Sequence, residues 1–245
     1  MSGLLKKLLN ENKRIANSYF EVEKLPLGRT LIIPDIHGCI KTLKALIAQV
    51  NLSKDDQLFF LGDYIDRGPD SIGIIDYIIE LMNENYNVYP VRGNHEQKLL
   101  DYYSAFRIFK IYDPDFDEED YDNNQLNEYL KFMSNLPIYY RIQNNLLVHA
   151  GFNGDCSNPL LDYDSMMTIR DFEITWPNFN YRIFHGHTPK SLMQIEMDIL
   201  NTKQVINLDN GCFYTKDENF GRLLCFDVDN SILYKAKNID YSIKN

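Results

Sequence analysis

Six short runs place carboxylates, imidazoles and one carboxamide beside glycines: Asp35-x-His37-Gly38, Gly62-Asp63-x-x-Asp66-Arg67-Gly68, Gly93-Asn94-His95-Glu96, His149-Ala150-Gly151, His185-Gly186-His187-Thr188 and Asp209-Asn210-Gly211. All five histidines of the chain fall in these runs. Asp, His and Asn side chains are hard or borderline donors suited to Mn, Fe, Zn or similar divalent ions. A mixed set of this kind, spread over several chain segments, suits two ions that share a bridging carboxylate. Any one of these runs could arise by chance, and a lone buried histidine is ordinary core; their number and order carry the weight.

Each run follows an apolar stretch with the composition of a β-strand. Leu31–Ile33, Leu58–Leu61, Val88–Val91, Leu146–Val148, Tyr181–Phe184 and Val205–Leu208 all end at the polar residues. Glycine lets the backbone turn sharply or approach a ligand closely where a strand stops, and ligands in open α/β sheets collect at the carboxyl ends of strands. Between the first strands, Leu43, Leu46, Ile47 and Val50, then Ile74, Ile75, Ile78 and Ile79, recur at helical spacing, predicting crossover helices over 39–50 and 70–84; a third helix is expected over 96–109. Strands alternating with helices specify an α/β fold, and the lack of repeats or low-complexity linkers favours one domain over residues 1–245.

The chain carries 25 Lys+Arg against 35 Asp+Glu, a formal net charge of −10, which argues against a broad grip on nucleic-acid phosphates. Eight of the acids lie in 111–130 without a single Lys or Arg, so that stretch reads as an acidic insertion or lid. Asp113-x-Asp115-x-Asp117 has the opening of a calcium loop, but Glu118 stands where glycine is required and Asn124 where a bidentate Glu belongs. Cys39, Cys156, Cys212 and Cys225 form no C-x-x-C pair, which fits a reduced, cytoplasmic setting. Leu4-Leu5-Lys6-Lys7-Leu8-Leu9 has the pattern of an amphipathic helix rather than a signal peptide, and no stretch approaches a membrane span.

Taken together, the motifs from Asp35 to Thr188 resemble those of the phosphoprotein phosphatase branch of the calcineurin-like metallophosphoesterases, over roughly residues 29–227 and closest to its short bacterial members. The resemblance implies a sandwich of two mixed β-sheets flanked by helices, with a dinuclear site at the strand ends. It implies that Asp35 and His37 hold one ion, that Asp63 bridges both, and that Asn94, His149 and His187 hold the second. Mn is the expected metal, with Fe and Zn as alternatives. The Gly-His-Thr match selects His187 over His185. It further implies a hydroxide generated between the ions as nucleophile, His95 as general acid oriented by Asp66, and Arg67 and Arg170 on the phosphoryl oxygens. Thr168 stands where a tryptophan is common before the second arginine, and Asp209-Asn210-Gly211 departs from the usual Asp-Thr-Gly; Asp209 is expected to support a ligand histidine.

The implied activity is hydrolysis of phosphoserine or phosphothreonine on a protein partner, that is, a serine/threonine phosphatase. A dinucleoside polyphosphate hydrolase shares the same metal core. The first is favoured by the Asp66–His95 pair, by Glu96, where nucleotide-hydrolysing relatives often have Asp, and by an anionic lid that would repel polyanionic nucleotides. A silent phosphoprotein-binding scaffold would require a lost ligand, and none is missing.

Overall fold

The computed structural model describes residues 18–112, 124–176 and 179–241. The elements run β1 (Tyr19–Val22), β2 (Thr30–Ile33), α1 (Ile40–Val50), β3 (Gln57–Phe60), α2 (Ser71–Asn83), β4 (Asn87–Pro90), α3 (Asn94–Tyr112) and α4 (Asn124–Asn135). There follow β5 (Tyr139–Ile142), β6 (Asn145–Val148), a 3₁₀ turn (Pro159–Leu161), α5 (Tyr163–Thr168), β7 (Arg182–His185), α6 (Leu192–Leu200), β8 (Val205–Asn207), β9 (Arg222–Asp227) and β10 (Ile232–Lys237). They form two five-stranded mixed sheets, ordered β10-β9-β2-β3-β4 and β1-β5-β6-β7-β8. The architecture is the α/β fold that the alternation of strands and helices predicts, in the two-sheet sandwich that the resemblance implies.

Period-two alternation assigns each strand residue to a layer. Ile32, Phe59, Leu224 and Phe226 of one sheet meet Ile142, Leu147, Phe184 and Ile206 of the other in the layer between them. Their neighbours Leu31, Ile33, Leu58, Phe60, Leu223 and Cys225 face the opposite way, onto α1 and α2. Leu146, Val148 and Ile183 turn outward from the second sheet onto Phe152, Met166 and Met167. Burial on both faces explains why these strands read as unbroken apolar runs. The helical spacing over 39–50 and 70–84 becomes α1 and α2: Ile40, Leu43, Leu46, Ile47 and Val50 are buried, and Asn51 in the left-handed region closes α1. Asp70 caps α2 through the Gly73 N–H.

β2, β3 and β4 pair in parallel, as do β6, β7 and β8. The registers Ile33↔Phe60 and Phe60↔Pro90, with Leu147↔Phe184 and Phe184↔Ile206, align the carboxyl ends of all six. The six polar motifs therefore leave both sheets along one edge. Of the acidic stretch, residues 113–123 lie outside the described residues, as do residues 4–9; the part from 124 onward is α4, whose Tyr129, Leu130 and Met133 pack on the helical layer.

A buried ion pair ties the start of β2 to the approach to β3. Asp56, 3 % exposed, accepts from the Arg29 N–H (2.9 Å), Nε (3.0 Å) and Nη2 (2.6 Å) and from the Ser53 N–H (2.9 Å). Burial opposes its ionisation, but the Arg29 and Ser53 hydrogen bonds outweigh this and hold the carboxyl down at about 2. Asp56→Ala is expected to cost about 3 kcal/mol in urea unfolding, because Arg29 is left partly buried without its partner. A depressed carboxyl stabilises the fold above its ordinary pKa of about 4 and loses that contribution as pH falls toward 2. The pH dependence of wild-type stability between those values should flatten in Asp56→Asn.

Candidate metal centre

The loops that leave the six strands carry unusual backbone. His37, Asp63, Asp66, Arg67 and His187 all have φ between 49° and 73°, five of the ten non-glycine residues in the left-handed region among those described. Such conformations cost on the order of 1–3 kcal/mol each and persist only where their surroundings hold them. Two close approaches set the packing: a Cβ at Gly93 would stand 2.2 Å from Asp63 Oδ1, and one at Gly186 2.1 Å from Asp35 Oδ1. Glu96 supplies the bracing. Its carboxylate, fully buried, accepts from the backbone N–H groups of Asp63 (2.9 Å), Tyr64 (2.8 Å) and Gly93 (2.9 Å).

Backbone carbonyls fix two of the imidazoles. A carbonyl can only accept, so His37 Nδ1–H donates to Ile65 O (2.9 Å) and His149 Nδ1–H to Leu61 O (2.8 Å), which leaves both Nε2 lone pairs directed inward. His37 Nε2 lies 3.6 Å from Asp63 Oδ2 and 4.0 Å from Asp35 Oδ2. On the other side, His149 Nε2 lies 3.5 Å from Asp63 Oδ1, 3.1 Å from His187 Nδ1 and 3.0 Å from Asn94 Oδ1. Asp35 Oδ1 accepts the His187 N–H at 2.9 Å. Asp63 thus belongs to two groups of potential ligands, with His37 and His95 on one side and His149 and His187 on the other.

The donor chemistry fits cations. Asn94 Oδ1, His149 Nε2, His187 Nδ1 and the Asp63 carboxylate are acceptors pressed together, with at most one proton, on His187 Nδ1, to share among them. Turning the Asn94 amide over would direct its NH₂ to these atoms and its oxygen to Lys98 Nζ at 3.1 Å, so the amide orientation separates a hydrogen-bonded cluster from a ligand set. Burial pushes the Asp63 carboxyl up to about 6, partly offset by His95, and Asp209 up to about 7; burial, then Asp209 and Asp63, raise Asp35. Burial first also holds His37, His149 and His187 down at about 3, keeping them neutral. Acids that resist ionisation beside imidazoles that resist protonation form a site that a bound cation would stabilise.

Around this core, His95 Nδ1–H donates to Asp66 Oδ2 at 2.5 Å, and His95 Nε2 faces Asp63 Oδ2 at 3.8 Å. The Arg67 guanidinium lies over the Phe213 ring, 4.5 Å from its centroid, and its charge is felt at Asp63, His37 and Asp209. Arg170, exposed, is close enough to lower the pKa of His187. All ten residues singled out from sequence therefore gather here. His185 does not join them; it is buried against Phe172, 5.2 Å between ring centroids. Asp209 differs from expectation: among the described residues it bonds no histidine, and its Oδ1 accepts from the Gly211 N–H at 2.6 Å. Arg92 ties the first turn of α3 to the end of α4, donating to Gln97 Oε1 at 2.9 Å and to Ser134 O and Leu136 O.

Two neighbours of the site were not foreseen. Lys98 stands one helical turn after Asn94, an i,i+4 spacing readable once α3 is known to begin there. Phe213 packs edge-to-face on His37 at 5.0 Å while lying under Arg67, and nothing in its local pattern marks it.

The calcineurin-like phosphoesterase profile matches residues 28–230. A bis(5'-nucleosyl)-tetraphosphatase PrpE [asymmetrical] from Oceanobacillus iheyensis is 26% identical over 218 residues, spanning 75% of this chain and 84% of that protein. Further curated relatives are likewise named bis(5'-nucleosyl)-tetraphosphatases, those called symmetrical matching over 26% to 52% of their own length. Among solved structures, one provisionally named a diadenosine tetraphosphatase superposes with a TM-score of 0.66 at 21% identity, covering 92% of this chain and 100% of that one. A serine/threonine phosphatase from Saccharomyces cerevisiae superposes at 0.60 with 15% identity, covering 96% and 89%. The two superpositions establish the shared fold, which spans both activities.

These relatives overturn the expected serine/threonine phosphatase and its phosphoprotein partner. The structure shows why the sequence signals misled. Glu96 braces backbone and presents nothing to a substrate. A His95–Asp66 pair serves any phosphoryl leaving group. The acidic charge of 113–123 has no described position, and exposed charge is screened within about 8 Å at physiological salt. The hydrolase class and the sandwich stand, with two His/Asp groups that could hold metal ions, and the chain belongs to the calcineurin-like phosphoesterase family.

Proposed function

We propose that the chain is a metal-dependent hydrolase of dinucleoside polyphosphates, cleaving a phosphoanhydride bond. The observation that carries this is the pair of ligand groups joined at Asp63, with Arg67, Arg170 and His95 around them, in a chain whose extended relatives bear that activity in their names. Asp35, His37 and Asp63 would hold one divalent ion, and Asp63, Asn94, His149 and His187 the second. The mixed N/O set suits Mn, with Fe or Zn compatible. Bound there, two such ions supply Lewis acidity to the phosphoryl oxygens and lower the pKa of water.

The protein's own groups do the rest. Arg67, steadied on Phe213, and Arg170, whose charge reaches His187, draw the phosphate chain across the carboxylate cluster and neutralise its equatorial oxygens. Asp66 holds Nδ1–H of His95, so Nε2 carries the mobile proton and delivers it to the departing phosphate oxygen. The four free thiols, three of them buried, accord with a cytoplasmic protein.

Metal-stripped protein reconstituted with Mn should convert diadenosine tetraphosphate to mononucleotides resolvable by anion exchange, and the stripped protein should not. Absence of metal-dependent turnover would refute the proposal.

A further inference from the structure

Beside the metal centre lies a cleft of about 360 Å³ between α2 and α4. Ile72 and Ile75 face it from α2, Leu126 and Met133 from α4, and Leu99 from α3. Spacings of three and seven place each pair on one face of its helix. Its size falls within the roughly 300–1,000 Å³ of small-molecule sites, and its make-up, apolar walls with a few polar groups, matches theirs. Those groups are the Asp66 carboxylate, the Ser71 hydroxyl, the Tyr129 hydroxyl and the Gln125 amide, whose Nε2 donates to Tyr129 at 2.7 Å.

The cleft opens onto the reacting end of the site. Asp66 lines it and at the same time holds His95, with Oδ2 2.5 Å from Nδ1. Ser71 Oγ accepts the Asp66 N–H at 2.9 Å and so fixes the shared wall. His95 Nε2 faces Asp63 from the ring edge remote from Asp66, so a leaving portion that starts there reaches this cleft by passing the edge of the imidazole and crossing Asp66. The phosphates themselves are poor occupants, because the walls are apolar and Asp66 is anionic; they belong with Arg67 and the metal ligands. A flat heterocycle suits the interior, and an acceptor-rich mouth suits a base that bears an exocyclic amino group.

We infer that the α2–α4 cleft is the nucleobase subsite on the leaving-group side, taking an aminopurine such as adenine. The inference rests on the dinucleoside polyphosphate reading above, and its test separates the two. Leu126→Trp, at a half-buried wall position, and Ile72→Trp, at a position already 57 % exposed, fill the cleft without touching metal ligands, His95 or the arginines. In Mn-loaded protein, each should raise KM for diadenosine tetraphosphate about tenfold, while kcat/KM for inorganic tripolyphosphate, which has no base, stays unchanged. Unchanged KM in both variants, with the wild type active, would overturn the subsite and leave the activity standing. Saturation-transfer NMR with adenosine 5'-diphosphate on metal-stripped protein decides the cleft independently of turnover. The purine H2 and H8 should receive magnetisation in the wild type and lose it in Leu126→Trp; equal transfer in both, or none in the wild type, would overturn the inference.

Discussion

Asp63→Asn is expected to abolish turnover, by roughly 10³-fold or more, about 4 kcal/mol of transition-state stabilisation. Asp63 is the one residue common to both ligand groups: Oδ2 faces His37 and His95, and Oδ1 faces His149 and also accepts the His95 N–H at 3.0 Å. Asparagine preserves its size and one oxygen, so the His95 N–H keeps its partner. The second oxygen becomes an NH₂, which cannot ligate, and the negative charge is lost where positive charge must accumulate. Elemental analysis of the reconstituted variant should find the metal content fallen below two ions per chain. The circular dichroism spectrum should be unchanged, since the buried carboxylate is already held up at about 6 by its surroundings and the neutral amide suits the metal-free fold. A variant with full metal content and activity would disprove the bridging role.

The second large effect is expected from His95→Asn, with a different signature. Asp66 is 57 % exposed at its side chain, so water replaces the lost partner and neither fold nor metal content should change. Turnover should drop about 10²-fold on a dinucleoside polyphosphate, the low end of what general acid catalysis supplies, with KM little altered. A phosphate leaves far more readily than an alkoxide and needs less protonation. The same variant should consequently lose more on an alkyl phosphate than on an anhydride, and equal losses on both would show that His95 does not act as the acid.

Much of this site is legible in the chain because its ligands sit at strand ends. β2, β3 and β6 are buried on both faces and β4, β7 and β8 in part; all six announce themselves as apolar runs, and the polar residues that stop them are the ones the sheets bring together. β1 and β10 are edge strands with mostly half-exposed or exposed residues, and β5 and β9 pair antiparallel through connections that leave no helical signature, so none of the four was foreseen. Asp209 and Phe213 illustrate the limit within the site. Both follow β8, but whether a side chain there reaches a histidine, a glycine N–H or an arginine depends on a turn whose path is set by the other sheet. Substrate choice was the least legible of all. Glu96 looked like a specificity residue because it follows Asn94 and His95, and in three dimensions its carboxylate belongs to the Asp63 and Gly93 backbone. The cleft that bears on substrate is lined from α2, α3 and α4, segments that read from sequence only as helix faces or as part of an acidic insertion.

The most direct measurement is the ratio of kcat/KM for diadenosine tetraphosphate to that for a phosphoserine peptide, taken on one preparation of Mn-reconstituted protein. A ratio on the order of a hundred or more is expected, since a site shaped for a polyphosphate and a base forgoes most of its contacts with a peptide monoester. A ratio at or below about one would contradict the assignment.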